Sequence, residues 1–137
     1  MKDILVALSS AAKNHRAKLM KITKAQNLTI SEWKLLNYVI NGQTTQEALS
    51  EVTKLDISTL SRQLKRLLVK EMLAKTAVGK DKRQLIYSVT DKGTESSQRV
   101  QQEVEGFQEQ VFSHWTNEEK NLLKILINRL EQSLDRI

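Results

Sequence analysis

The sequence predicts a mainly α-helical fold that carries one small β-hairpin. The chain of 137 residues has no proline and only four glycines, so few positions interrupt a helix. Apolar residues recur every three or four positions through most segments, which is the period of an amphipathic helix. Two short segments near the middle are instead rich in β-branched residues and flank a charged loop, as hairpin strands do. The length is typical of one domain with one core, so we expect residues 1–137 to form a single domain.

Three helices are expected before residue 54. The first covers about residues 3–24, where apolar residues form a single stripe along one side. The second opens at Thr29, with Glu32 three residues later in a capping-box pattern, and it stops at residues 41–42. The third covers about residues 45–53, and a short polar turn then leads into the next helix.

The fourth helix has two different faces. Asp56 can cap its start, and the helix runs to about Lys70. At about 100° per residue its leucines fall on one side, and hydroxyl and cationic side chains fall on the other: Ser58, Thr59, Arg62, Lys65 and Arg66. This mixture suits the major groove of DNA, because arginine can fork onto guanine, hydroxyls can bond base edges and lysine can neutralise phosphate. The alternative is a solvated surface helix, although such a helix more often includes glutamate and this one has no acid.

The hairpin is expected from strands at residues 73–78 and 85–90, joined by a loop at residues 79–84. Three cations lie at the tip of this ribbon: Lys80, Lys82 and Arg83. Two short helices followed by a basic hairpin have the order of a helix-turn-helix with a wing, and a wing tip can reach the minor groove, where arginine meets an enhanced negative potential. Asp81 would repel phosphate if it were unpaired, so the simplest account is that it pairs with a nearby arginine and directs it.

Positive charge is concentrated in the middle of the chain, whose net formal charge is +6. Residues 54–92 hold ten lysines and arginines against four acids, whereas the remaining 98 residues hold twelve of each. This excess points to a local anionic partner, with double-stranded DNA first among the candidates. A solvated basic surface explains the same charge, and so does a winged-helix interaction module that binds an acidic protein partner.

Two long helices are expected at the end of the chain, over about residues 91–112 and from Asn117 onward. Each carries one apolar stripe, as the first helix does. The stripes have two candidate partners, which are the other helices of the same chain and a second copy of the protein. A dimer also suits DNA recognition, because two copies about one helical turn apart, roughly 34–36 Å, can read a pseudo-palindrome.

Two stretches resemble a known family. The run ISTLSRQLKRLL (57–68) and the run DKRQLIYSVTDKG (81–93) are similar to the recognition helix and the wing of the MarR/SlyA family of bacterial winged-helix transcription regulators. The flanking helices match that family in order and length. The resemblance implies a winged helix-turn-helix at about residues 28–92, flanked by dimerisation helices at about residues 1–24 and 93–137.

The resemblance also implies an obligate homodimer that acts on DNA. We expect this protein to be a repressor. It implies that Arg83 enters the minor groove and that Asp81 orients a nearby arginine. Aromatic acids or phenolic compounds often release members of the family, so a small aromatic or phenolic ligand is an expected partner. Side chains of the first two helices would line its place, although their spacing shows no pocket; examples are His15, Arg16 and Trp33. The sequence departs from the family at Glu71, where a glycine usually ends the recognition helix.

Other classes of function find little support in the sequence. No cysteine is present, which excludes disulfides, thiolate metal sites and thiol-based redox sensing. No nucleotide-binding or catalytic motif occurs, and the only two histidines, His15 and His114, are far apart, so we expect no enzyme, no metal site and no cofactor. The longest apolar run has five residues, which is too short to cross a membrane, and we expect a cytoplasmic protein.

Overall fold

The computed structural model describes residues 1–137 as six helices and one two-stranded antiparallel sheet. The predicted mainly helical fold with a small hairpin is therefore confirmed. The chain divides into two compact units, Met1–Glu103 and Val104–Ile137, and its single-domain organisation stays a prediction. The elements in chain order are α1 (Ile4–Lys24), α2 (Ile30–Ile40), α3 (Gln46–Thr53), α4 (Ile57–Val69), β1 (Leu73–Val78), β2 (Gln84–Val89), α5 (Asp91–Val111) and α6 (Asn117–Asp135).

Leucines form most of the core of the first unit. Tyr87 of the hairpin and Val100 of α5 complete this core, and they are 5% and 0% exposed. Full burial of one large aliphatic side chain contributes about 1.5–3 kcal/mol, so the leucines hold the helices together. Those that are at most 1% exposed come from α2, α3 and α4: Leu35, Leu36, Leu49, Leu60 and Leu67.

Capping boxes that begin with threonine fix the starts of two helices. At the start of α2, the Glu32 amide donates to the Thr29 hydroxyl at 3.0 Å and the Thr29 amide donates to the Glu32 carboxylate at 2.9 Å. Thr116 and Glu119 form the same capping box at the start of α6, at 3.1 and 2.9 Å. Each box satisfies amide groups that the first turn of a helix leaves without a partner, which is why the predicted start of α2 agrees with the structure.

The hairpin is anchored at its base. β1 and β2 pair from Leu73 opposite Val89 to the loop end, and the Tyr87 amide donates to the Thr44 carbonyl at 2.7 Å. The predicted second strand covered residues 85–90, but β2 begins one residue earlier, at Gln84, and it excludes Thr90, which precedes α5 as its cap. Its hydroxyl accepts from the Gly93 amide at 3.0 Å, as a helix cap does, so Thr90 leaves the strand.

Glu71 adopts the left-handed conformation that usually requires a glycine, with a φ of 61°. The Glu71 amide donates to the Leu68 carbonyl and the Met72 amide donates to the Leu67 carbonyl, both at 3.0 Å. These two bonds form a Schellman motif, which ends α4 and turns the chain into β1. Glu71 therefore ends the helix in the usual way and carries the strain of its Cβ.

Several apolar side chains expected in packed positions are exposed in the single chain. Ile4, on the apolar stripe of α1, is 77% exposed. Ile57 lies at the first position of α4, beyond the reach of the core, and it is 68% exposed although its angle places it on the leucine side. Both tryptophans are simplest to interpret from the sequence as core residues, but Trp33 is only half-buried and Trp115 is 41% exposed.

The second unit contains the end of α5 and all of α6. Trp115 lies in the turn between them and packs edge-on against Phe112, with the ring centroids 5.2 Å apart. No residue of α6 is buried. Four of its large apolar side chains are about half exposed or more: Leu122, Ile125, Leu126 and Leu134.

Candidate nucleic-acid interface

α4 lies with its leucines in the core and its polar residues outward. Leu60, Leu64 and Leu67 are at most 2% exposed. All five predicted reading residues lie on the opposite side, where Thr59 is half-buried and the other four are exposed. A hydrogen bond from the Gln46 amide group to the Ser61 hydroxyl, 2.8 Å long, also joins α3 to α4. The helix therefore presents a basic and hydroxyl-bearing face from a well-packed base.

Asp56 binds both hydroxyl groups at the start of α4. The Ser58 hydroxyl and the Thr59 amide each donate to Oδ1 of Asp56 at 2.7 Å, and the Thr59 hydroxyl donates to Oδ2 at 3.0 Å. These three bonds, with a smaller contribution from the charge of Arg62, lower the pKa of Asp56 from 3.8 to about 2. The carboxylate is therefore ionised at neutral pH and can only accept hydrogen bonds.

The bonds to Asp56 restrict what the two hydroxyls can bind. Because Ser58 and Thr59 donate their hydroxyl protons to the carboxylate, their oxygens remain available as acceptors. Such acceptors match the amino groups of cytosine and adenine in the major groove, whereas phosphate offers only acceptors. Sequence reasoning gave Asp56 only its capping role, although the spacing of the carboxylate and the two hydroxyls carried the signal.

A buried ion pair holds the far end of α4. Nζ of Lys70 lies 2.8 Å from Oε1 of Glu32, and it also donates to the Asn27 carbonyl at 2.8 Å. The Glu32 side chain is 1% exposed and that of Lys70 is 23% exposed. The second carboxylate oxygen of Glu32 is buried and makes no hydrogen bond within the protein. Sequence reasoning identified Glu32 as a cap residue and missed this pair, because its members are 38 positions apart.

The wing tip carries the predicted contact between Asp81 and an arginine. Nε of Arg83 lies 3.4 Å from Oδ2 of Asp81, and the two side chains are 86% and 62% exposed. An ion pair this exposed contributes little to stability, so its physical effect is to restrict the directions of the Arg83 side chain. Lys80 and Lys82 are also exposed, and the loop turns through left-handed residues at Gly79 and Lys82.

A groove of about 670 Å³ opens between α1 and the start of α2. Arg16 lines it, as the sequence suggested for a ligand place, but His15 and Trp33 are not among its lining residues. Four basic side chains contribute to its walls, three from α1 and one from the end of α4: Arg16, Lys21, Lys24 and Lys70. No group of three histidine, cysteine or acidic side chains is placed to hold a metal ion, and no helix is both long and apolar enough to span a bilayer.

Comparisons with known proteins agree with this architecture. A sequence model described as the MarR family matches residues 26–84. A Bacillus subtilis protein named as the uncharacterized HTH-type transcriptional regulator YxaD is 32% identical over 108 residues, which cover 78% of this chain and 76% of that protein. Among solved structures, a MepR variant from S. aureus has a TM-score of 0.84 at 16% identity, with 97% of this chain and 99% of that chain covered. A complex of S. aureus MepR with DNA has a TM-score of 0.74 at 15% identity, with 96% of each chain covered.

The two kinds of match support different statements. At 15% and 16% identity, the MepR structures show the fold alone. The Bacillus subtilis relative shares enough sequence over enough of its length to show a common family, and it is named as a transcriptional regulator and not as an enzyme. The chain therefore belongs to the MarR family and has the winged-helix fold of its DNA-binding transcription regulators.

Proposed function

We propose that this protein binds double-stranded DNA sequence-specifically, as a homodimer, and represses transcription. The observation that carries the proposal is the outward face of α4, where acceptors at the Asp56 end are followed by cations in the middle. Ser58 and Thr59 would read amino groups of bases, and Arg62, Lys65 and Arg66 would reach guanine edges and phosphates.

The wing supplies the second set of contacts. Arg83 would enter the minor groove with its direction limited by Asp81, and Lys80 and Lys82 would contact phosphate. This division separates residues that read sequence from residues that position the protein. It therefore predicts different effects for substitutions in the two sets.

The salt dependence of binding to random double-stranded DNA tests the proposal. Affinity should fall steeply between two salt concentrations, because bound lysines and arginines release counterions from phosphate. Lys80→Ala should weaken binding to all sequences alike and reduce the salt slope by about one unit. Arg62→Ala should relax specificity at one position, at a cost of about 1–3 kcal/mol. Lys34→Ala, which removes an exposed cation from α2, is the matched control and should change neither property.

The alternative is an interaction module that binds an acidic protein through the same basic face. Absence of binding to DNA at low salt would favour that alternative and would refute the DNA proposal. If Lys80→Ala and Arg62→Ala had the same effect on every sequence, the division between reading and positioning would be wrong.

A homodimer is supported by exposed apolar side chains on α1 and on α6. Ile4 and Ile125, for example, are 77% and 64% exposed in the single chain, which is costly unless a second copy covers them. Sedimentation equilibrium should give twice the mass of the chain. Ile125→Lys should shift the protein toward monomer, whereas Gln132→Lys, at an exposed polar position of the same helix, should not. A monomeric wild-type protein at micromolar concentration would refute this part.

The proposal also includes a cytoplasmic location. Its last part is that a small aromatic or phenolic ligand releases the protein from DNA. The groove lined by Arg16 and Lys21 has the size of a small-molecule site and a positive lining, which suits an aromatic carboxylate. Benzoate titrated against a protein–DNA complex should release the DNA. Arg16→Ala should raise the benzoate concentration required without changing DNA affinity, and an unchanged concentration would remove the groove from the proposal.

A further inference from the structure

We propose that Lys70 and Glu32 are a positioning pair that fixes the junction between α4 and the hairpin, and so sets the placement of both DNA-contacting elements. The inference rests on the proposed DNA-binding function and deepens it. Neither residue belongs to the outward face of α4 or to the wing tip, so any effect on DNA binding would act through other residues.

The pair lies at the point where the two DNA-contacting elements meet. Lys70 follows the last residue of α4, and the Schellman motif at Glu71 leads directly from it into β1. The Thr90 hydroxyl donates to the Glu71 carbonyl at 2.7 Å, and the Thr90 amide donates to the Met72 carbonyl at 3.1 Å. Three consecutive residues, Lys70 to Met72, therefore connect the end of α4 to the base of the hairpin and to the start of α5.

Lys70 connects this junction to a rigid point elsewhere in the first unit. Its ammonium group bonds the Asn27 carbonyl in the turn before α2 and the Glu32 carboxylate in the first turn of α2, each at 2.8 Å. Glu32 is itself held by the Thr29 amide at 2.9 Å. Leucine packing resists lifting α4 off the core, but an apolar surface is not directional and permits sliding. The two short bonds of Lys70 restrain such sliding.

The burial of Glu32 argues that the pair provides position and not stability. Its carboxylate is almost completely buried, and one of its oxygens makes no hydrogen bond within the protein, so a large desolvation penalty offsets the attraction. A neutral replacement of a buried ion pair is often as stable as the original. A neutral pair should therefore keep the fold while it loses the restraint.

The Glu32→Gln/Lys70→Met double variant tests this separation. Glutamine can keep the capping box, which accepts Glu or Gln at this position, and methionine keeps the length of the lysine stem without the charge. Thermal stability should stay close to that of the wild type. Affinity for a DNA site obtained by in vitro selection should fall roughly tenfold or more, because the displacement of one base contact loses about that much discrimination. Affinity for random DNA should fall much less, and its salt slope should stay unchanged, because the double variant removes none of the cations proposed to contact phosphate. Lys34→Met, which removes an exposed cation of α2 that does not line the groove, is the matched charge control.

Two further measurements keep the outcomes separate. Hydrogen exchange without DNA should be faster at residues 67–73 in the double variant, whereas Lys70→Arg should retain both slow exchange and specific binding. A double variant that binds the selected site as tightly as the wild type would overturn the inference. Equal losses on selected and random DNA would also overturn it, since Lys70 would then contact phosphate directly. If the wild type bound no DNA, the proposed function would fail, and unchanged exchange at the junction would show separately that the pair restrains nothing.

Discussion

Replacement of Glu71 by glycine should stabilise the protein. Glu71 has a φ of 61°, and the left-handed conformation costs a residue with a Cβ about 1–2 kcal/mol. Glycine removes this cost but gives the unfolded chain more freedom, which takes back about 0.5–1 kcal/mol. The difference predicts a net gain of about 0.5–1 kcal/mol. The Schellman bonds use only backbone atoms at this position, so glycine leaves them unchanged.

Urea denaturation of the wild type, Glu71→Gly and Glu71→Ala measures this effect. Alanine is the matched control, because it removes the carboxylate and keeps the Cβ, and it should stay within about 0.5 kcal/mol of the wild type. The midpoint of Glu71→Gly should rise with no change in the slope of the transition, since the folded structure is the same. Equal stabilisation by glycine and alanine would attribute the effect to charge, and a glycine variant less stable than the wild type would refute the strain argument.

Three further predictions concern the close backbone contact of Gly93, the pair of Lys70 with Glu32, and the Asp56 cap. Gly93→Ala should lower the free energy of unfolding by about 1–3 kcal/mol, because an added Cβ would lie 2.2 Å from the Met72 carbonyl oxygen. Gly106→Ala, where an added Cβ meets no atom within 4 Å, should raise it by about 0.5–1 kcal/mol. Equal shifts in melting temperature for the two variants would contradict the role of this contact. Lys70→Met alone should lower the free energy of unfolding by about 3 kcal/mol, since it leaves the buried Glu32 carboxylate without its cation. Adding Glu32→Gln should restore most of this stability, as measured by urea denaturation. No recovery in the double variant would contradict the argument that the unpaired charge causes the loss. Asp56 has a pKa of about 2 in the folded protein against a usual 3.8, so its contribution to stability is present above pH 3.8 and is lost as the pH falls towards 2. The urea midpoint of Asp56→Asn should therefore depend less on pH between 3.8 and 2 than that of the wild type. An equal pH dependence of the two proteins would contradict the hydrogen bonds assigned to Asp56.

Local patterns were sufficient to predict most of the elements. The capping box at Thr29 predicted the start of α2, and the β-branched run at residues 73–78 predicted β1 with both its ends. The angular distribution of side chains along α4 predicted which of its residues face outward. The pairing of Asp81 with Arg83 was also predictable, because the two residues are close in sequence and an unpaired acid is unfavourable beside phosphate.

Contacts between distant positions were not predictable from one sequence. The bond between Lys70 and Glu32 joins residues whose separate patterns give no sign of each other. The contact of Gly93 with the backbone at Met72 likewise depends on how the hairpin packs against α5. The exposure of Ile57 shows a related limit, since the angle of a residue on a helix does not tell whether the core extends to that end of the helix.

In vitro selection of DNA sequences bound by the protein tests the central claim most directly. The account predicts enrichment of two inverted half-sites about 10 base pairs apart, because two recognition helices of a symmetric dimer lie roughly one turn of DNA apart. Each half-site should contain a guanine that an arginine of α4 reads. Next to it in the sequence should stand a cytosine or adenine whose amino group faces Ser58 and Thr59. Failure to enrich any sequence, or enrichment of a single site without dyad symmetry, would contradict the account.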